Sequence, residues 1–165
     1  MRAATLALLA FAAVVLDAAL APHIEIAGAR PDFLVIVIVY ASLLMGARAA
    51  TIAGFSAGLI AGAEIPEYLG LNALALSATA YATSKLWSRL VRTNALVQCL
   101  VLFAASLTHD VIYYLVYYRN HLDMFGRFIA RFGFLGGLYT AAFGALIFWL
   151  ARVRGWRSIT DGAHR

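Results

Sequence analysis

The chain has 165 residues, of which 64% are apolar and only 13% are charged, and its formal net charge is +5. A soluble domain is about 45–50% apolar and about 25% charged, so this composition excludes an ordinary water-soluble globule. It also excludes a disordered tail, a nucleic-acid-binding domain and a disulfide scaffold, since the positive charge is spread thinly and Cys99 is the only cysteine. The composition is typical of a single integral membrane domain over residues 1–165.

Six apolar segments predict an all-α, polytopic membrane protein. A helix that crosses a hydrocarbon core of about 30 Å needs roughly 20 mainly apolar residues. The apolar runs lack the two-residue alternation of a membrane β-barrel. In chain order, the predicted spans are residues 3–21, 33–47, 49–63, 69–87, 95–118 and 132–150.

The second and third spans are short and only Arg48 separates them. We predict a hairpin with Arg48 at its tip, where a long basic side chain can reach the headgroups. Pro22, Pro31 and Pro66 all fall between predicted spans, which is where a residue without an N–H group is tolerated best. The prolines therefore support the predicted limits of the helices.

The distribution of arginine and lysine predicts the orientation. With the N-terminus inside the cell, nine basic residues lie on the inner side and four on the outer side. Basic residues favour the cytoplasmic side, so both termini are predicted to be cytoplasmic, with residues 151–165 as a basic tail. A hairpin that re-enters from the outside would move Arg48 outward and leave the later spans unchanged.

The first predicted span allows a second interpretation. Residues 1–21 also resemble a secretory signal peptide, because Arg2 precedes an apolar stretch that ends on Ala19-Leu20-Ala21. Five further apolar segments follow, and the first span of such proteins often has this form.

The sequence lacks a catalytic signature. It contains no H-E-x-x-H, phosphate-binding loop or C-x-x-C motif. Gly54-Phe55-Ser56-Ala57-Gly58 fits the letters G-x-S-x-G, but it lies inside a predicted apolar helix and not at the strand-to-helix turn that this motif requires. The four histidines do not have the spacing of metal ligands. We therefore expect no enzymatic activity, no cofactor and no metal site.

Two stripes of small residues lie at helical spacing. Side chains this small allow the backbone of another helix to approach closely, so each stripe is a candidate face for a partner's transmembrane helix. Packing within the chain's own bundle is the alternative for both. The first stripe is Gly54, Gly58 and Gly62, and the second is Gly133, Gly137, Ala141 and Ala145.

Ionisable residues inside predicted spans form a second candidate site. Such residues are costly in a membrane and are functional candidates by default. Asp17, His109 and Asp110 are all predicted to lie in the outer half of the membrane, near Glu64 and Arg131. One interpretation is a polar cavity open to the outside. The alternative is a structural ion pair of Asp17 or Asp110 with Arg131.

Aromatic residues are concentrated after this position. Tyr113, Tyr114, Tyr117 and Tyr118 match an aromatic belt at the membrane interface. The following segment, 120–131, has apolar residues at helical spacing and is predicted to lie along the interface as an amphipathic helix.

The order of three motifs resembles the rod shape-determining MreD family of bacterial inner membranes. The motifs are Arg30-Pro31-Asp32 before an apolar run, Gly54-Phe55-Ser56-Ala57-Gly58-Leu59-Ile60, and Leu69-Gly70-Leu71-Asn72-Ala73-Leu74, with Tyr81 further on. Asp32 would begin the second helix, where a negative charge suits the helix dipole. The family usually has an aspartate at the position of Gly62, so the role of that carboxylate does not carry over.

The resemblance implies a non-enzymatic component of the cell-elongation machinery. MreD-like proteins associate with MreC and, with it, connect the MreB filament to the RodA glycosyltransferase and its partner transpeptidase. The family also resembles the substrate-binding S-components of vitamin transporters in fold. A small-molecule-binding subunit of a transporter is therefore the alternative function.

Overall fold

A computed structural model describes residues 2–25, 28–64, 69–86, 95–119 and 122–153. These residues form helices joined by short connections, which confirms the all-α class for this part of the chain. The helices are α1 (Arg2–Ala19), α2 (Phe33–Met45), α3 (Ala47–Ala61), α4 (Leu69–Leu86), α5 (Ala95–Tyr117), α6 (Leu122–Phe128) and α7 (Phe134–Val153).

Helix α2 forms the centre of the bundle and packs against α1, α3, α4, α5 and α7. Its sequence is apolar on every side, as expected of a helix that is surrounded by other helices. Val35, Ile38 and Val39 are almost completely buried. Phe33 meets Phe143 of α7 edge to face, with ring centroids 5.9 Å apart.

A single residue, Gly46, connects α2 to α3. Its backbone has φ 77° and ψ 170°, a conformation that a residue with a Cβ atom adopts only under strain. Arg48 is exposed in the first turn of α3 rather than at the tip of the hairpin. The tip is therefore two residues earlier than predicted, because only the glycine permits so abrupt a reversal.

The first glycine stripe packs against the chain's own α4. A Cβ atom on Gly58 would lie 2.5 Å from Ala73 Cα, and one on Gly54 would lie 2.9 Å from the Leu76 carbonyl oxygen. Gly62 ends α3 as its C-cap. The prediction that this stripe receives a partner helix is thus corrected at Gly54 and Gly58: internal packing, the stated alternative, already covers them.

The second stripe faces α5. A Cβ atom on Gly137 would lie 3.2 Å from the Phe103 ring, and one on Gly133 would lie 3.6 Å from Asp110 Oδ2. Ala141 is 5% exposed and belongs to the core. These positions also pack inside the bundle, so the partner-helix interpretation is corrected here for the same reason.

Helix α6 continues directly into α7. A five-residue π-helical turn, Ile129–Gly133, joins the two without a break. The predicted helix within 120–131 is therefore confirmed over the described residues, but it is the first part of one long helix and not a separate one. Its position along the membrane interface stays a prediction. Residues 120 and 121 lie outside the described residues.

Apolar side chains cover much of the outer surface, as in Phe11, Ile52 and Leu138. Among the described residues, Leu96–Tyr117 and Met124–Leu150 are long and apolar enough to cross a membrane by length and composition. That six helices cross it, and that both ends are cytoplasmic, stay predictions. Residues 154–165 of the predicted basic tail lie outside the described residues.

Candidate functional site

Polar side chains from different helices meet at one end of the bundle, where α1 and α5 end and α2 and α4 begin. Successive helices run in opposite directions, so residues far apart in sequence reach the same level. The structure brings together Asp17 of α1, Asp32 before α2, Asn72 of α4, His109 and Asp110 of α5, and Thr140 of α7.

Asp17 completes the first turn of α2. Its Oδ1 accepts a hydrogen bond from the Phe33 N–H at 2.8 Å, and its Oδ2 accepts one from the Leu34 N–H at 3.0 Å. The first N–H groups of a helix have no partner within the helix. Both residues are nearly buried, so without Asp17 these groups would be buried unpaired.

Asp32 is the N-cap of the same helix. Its Oδ1 accepts a hydrogen bond from the Val35 N–H at 2.8 Å, the usual bond of an aspartate at this position. Its own N–H donates to Oγ1 of Thr140 at 3.0 Å, which attaches the start of α2 to α7. The negative charges of Asp17 and Asp32 interact favourably with the positive, N-terminal end of the α2 dipole.

His109 connects this capped helix end to α4 and α5. Its Nδ1 lies 3.5 Å from Asp32 Oδ2 and 3.4 Å from Asp110 Oδ1. Its Nε2 lies 3.1 Å from Asn72 Oδ1. The ring thus has a carboxylate pair on one side and an amide oxygen on the other, an arrangement suited to an imidazole N–H that faces two acids.

The predicted ion pair with Arg131 is wrong. Among the described residues, Asp17 bonds to the backbone of α2 and Asp110 faces His109. The Arg131 guanidinium instead lies 5.5 Å from the centre of the Phe132 ring. Glu64 ends a short 3-10 turn after α3, and its side chain lies outside the described residues.

A cavity of about 740 Å³ opens beside these groups. Asp17, Asp32, His109 and Asp110 line it, together with several aromatic rings. Tyr114 and Phe128 are 4.2 Å apart between ring centroids, and Phe128 is 5.0 Å from Phe132. Arg30 and Glu25 form an ion pair of 2.8 Å that also borders the cavity.

Several of these residues were not identified as site candidates from the sequence. Thr140 is a common residue for a membrane helix, and its role depends on where α2 begins. Phe128 belongs to the predicted interfacial segment and Phe132 begins the predicted sixth span, and only the continuous helix through the π-helical turn brings both rings to the cavity. Asn72 is identifiable as a candidate from the sequence, because a polar amide inside a predicted span needs a hydrogen-bond partner.

Comparison with known proteins identifies one family. No curated protein and no solved structure gives a significant match. Residues 2–154 match the family described as rod shape-determining protein MreD. Because this match extends over nearly the whole chain, the chain belongs to the MreD family of rod shape-determining membrane proteins.

Proposed function

We propose that this protein is a non-enzymatic scaffold of the bacterial cell-elongation complex in the inner membrane. In this proposal it binds MreC and, through it, helps to link the MreB filament with RodA and its partner transpeptidase. Membership of the MreD family is the observation that carries the proposal. Six membrane crossings with both termini in the cytoplasm belong to the same proposal, supported by the apolar segments and the distribution of basic residues.

The packing of the glycines restricts where a partner helix can bind. Gly54 and Gly58 are covered by α4, and Gly137 is covered by α5. A partner must therefore use a face that the bundle leaves open. Substitution of Gly58 cannot test partner binding, because it would first disturb the contact between α3 and α4.

We place the docking site in a groove over α2, between α1 and α7. Helix α1 packs on α2 and α3, whereas α7 packs on α2 and α5. Val37 and Tyr40 are only partly covered, although Ile36 and Ile38 beside them are buried. Tyr40 lies next to α7, with its ring centroid 5.4 Å from that of Phe148. An apolar helix such as the single span of MreC would complete the burial of α2.

Site-specific photo-crosslinking in cells tests this site. Tyr40→p-benzoylphenylalanine should give a crosslink to MreC, because the probe would lie under the partner helix. The same probe at Leu74, an exposed residue of α4, is the matched control and should crosslink to MreC weakly or not at all.

The outcomes distinguish an error in the proposed docking site from an error in the proposed scaffold function. Crosslinks to MreC at Leu74 but not at Tyr40 would contradict docking in the groove over α2, but they would still support the binding of MreC. If MreC neither crosslinks nor co-purifies with the intact chain, the scaffold proposal is wrong.

A further inference from the structure

The docking site proposed above does not use the cavity beside the polar cluster. Its volume of about 740 Å³ lies within the range of about 300–1,000 Å³ that is common for small-molecule sites. It lies at the end of the bundle between α1, α2 and α5, with the π-helical turn as part of its wall. π-Helical turns of this kind frequently occur at functional sites.

The carboxylate oxygens that line the cavity differ in their hydrogen-bond partners. Both oxygens of Asp17 and Oδ1 of Asp32 accept backbone N–H groups of α2. Asp32 Oδ2 and Asp110 Oδ1 share a single ring nitrogen of His109, at 3.5 and 3.4 Å. Two carboxylates therefore face one ring nitrogen of His109, and Asp17 lines the cavity beside them, so this acidic group of residues favours a positive charge.

The cavity also has an aromatic wall, which begins beside Asp110. Tyr114, Phe128 and Phe132 form a continuous wall, with centroid distances of 4.2 and 5.0 Å between successive rings. Gly28 packs directly against the Phe132 ring, where a Cβ atom would collide with it, and this contact holds the ring in place. The faces of aromatic rings attract cations and also accommodate an apolar body.

The carboxylates and the aromatic wall together restrict the chemical class of ligand that the cavity can bind. An anion would meet the carboxylates, and Arg30, the arginine at the border, is already paired with Glu25. In the described part of the chain, no group of three His, Cys, Asp or Glu side chains is arranged to hold a metal ion. A neutral apolar molecule would leave the acidic side uncompensated.

We propose that this cavity binds an organic ammonium ion with a small apolar body. The ammonium group would lie against Asp110 and Asp32, and the apolar body would lie against the rings of Phe128 and Tyr114. The proposal is independent of MreC binding, because the cavity is built entirely from this chain and the groove over α2 is a different surface.

Binding of benzylammonium to the purified full-length chain in detergent at pH 7 tests the proposal. Saturation-transfer NMR gives the affinity, with benzyl alcohol as the neutral probe of the same shape and benzoate as the anionic one. We expect saturable binding of benzylammonium only. Because the ammonium group and the apolar body each make a separate contact, loss of either contact should weaken binding about tenfold or more.

Three variants locate the site. Asp110→Asn removes the charge with little change of shape, and Phe128→Ala removes the central ring of the wall. Both should weaken binding of benzylammonium about tenfold or more. Phe55→Ala removes an exposed ring on α3 and should bind as the parent does. If either of the first two variants fails to fold, the other still tests the site.

Three results would overturn the proposal. One is the absence of binding to the parent chain. Another is equal affinity for benzyl alcohol and benzylammonium, which would indicate apolar adsorption. The third is an unchanged affinity for benzylammonium in Asp110→Asn and Phe128→Ala, or in whichever of the two folds. This result would place the ligand elsewhere.

Discussion

The carboxylates at the start of α2 supply hydrogen-bond acceptors to the backbone of that helix. Asp17 and Asp32 together accept hydrogen bonds from the N–H groups of Phe33, Leu34 and Val35. The first turn of a helix exposes N–H groups that water would otherwise satisfy. Because this turn is buried among other helices, side chains must supply the acceptors.

Replacement of Asp17 is the prediction at the scale of the residue. In Asp17→Ala the N–H groups of Phe33 and Leu34 lose their acceptors, and each buried unpaired group costs about 1–3 kcal/mol. We expect a clearly lower midpoint of thermal unfolding in detergent. Asp17→Asn keeps one oxygen acceptor and should lie between Asp17→Ala and the parent chain.

Glu25→Gln is the control for this prediction. It removes a carboxylate that is paired with the exposed Arg30, and an exposed ion pair contributes about 0–1 kcal/mol. We expect little change in its unfolding midpoint. Equal midpoints for Asp17→Ala and the parent would show that the capping contact does not stabilise the bundle.

The contact between α3 and α4 shows what short helices gain from glycine. Gly54 and Gly58 lie on one face of α3, and a Cβ atom at either would come within 2.9 Å of the backbone of α4. Close approach of this kind increases van der Waals contact along both helices, which is the main source of helix association in lipid. The neighbouring glycine Gly70 has open space around it and serves no such purpose.

Paired glycine substitutions provide the prediction at the scale of the element. Gly58→Ala places a methyl group 2.5 Å from Ala73 Cα, so α3 and α4 must move apart. Overpacking typically costs about 1–3 kcal/mol, and we expect a lower unfolding midpoint.

Gly70→Ala meets nothing within 4 Å, and alanine has the higher helix propensity, so this variant should be as stable as the parent or slightly more stable. Equal effects of Gly58→Ala and Gly70→Ala would contradict the close contact.

At the scale of the whole molecule, α1 is an integral part of the bundle. It packs against α2 and α3, contributes Ala13 to the core and supplies Asp17 to the start of α2. Cleavage of residues 1–21 as a signal peptide would remove these contacts from the mature protein. The fold therefore favours retention of residues 1–21 over the signal-peptide interpretation.

Intact-mass measurement of the protein purified from membranes tests this prediction. We expect a mass that includes residues 1–21, because their removal would leave the first turn of α2 without its acceptors. A mature chain that begins at Pro22 would contradict it.

The composition and the apolar segments by themselves determined the helical class, and the order of three motifs was sufficient to identify the MreD family, which the family match confirms. These properties are local, since they depend on runs of apolar residues and on neighbouring motif residues. The roles of the candidate residues were decided only by tertiary structure. Whether Gly58 meets α4 or a partner, and whether Asp17 meets Arg131 or the backbone of α2, depends on how helices distant in sequence lie against one another.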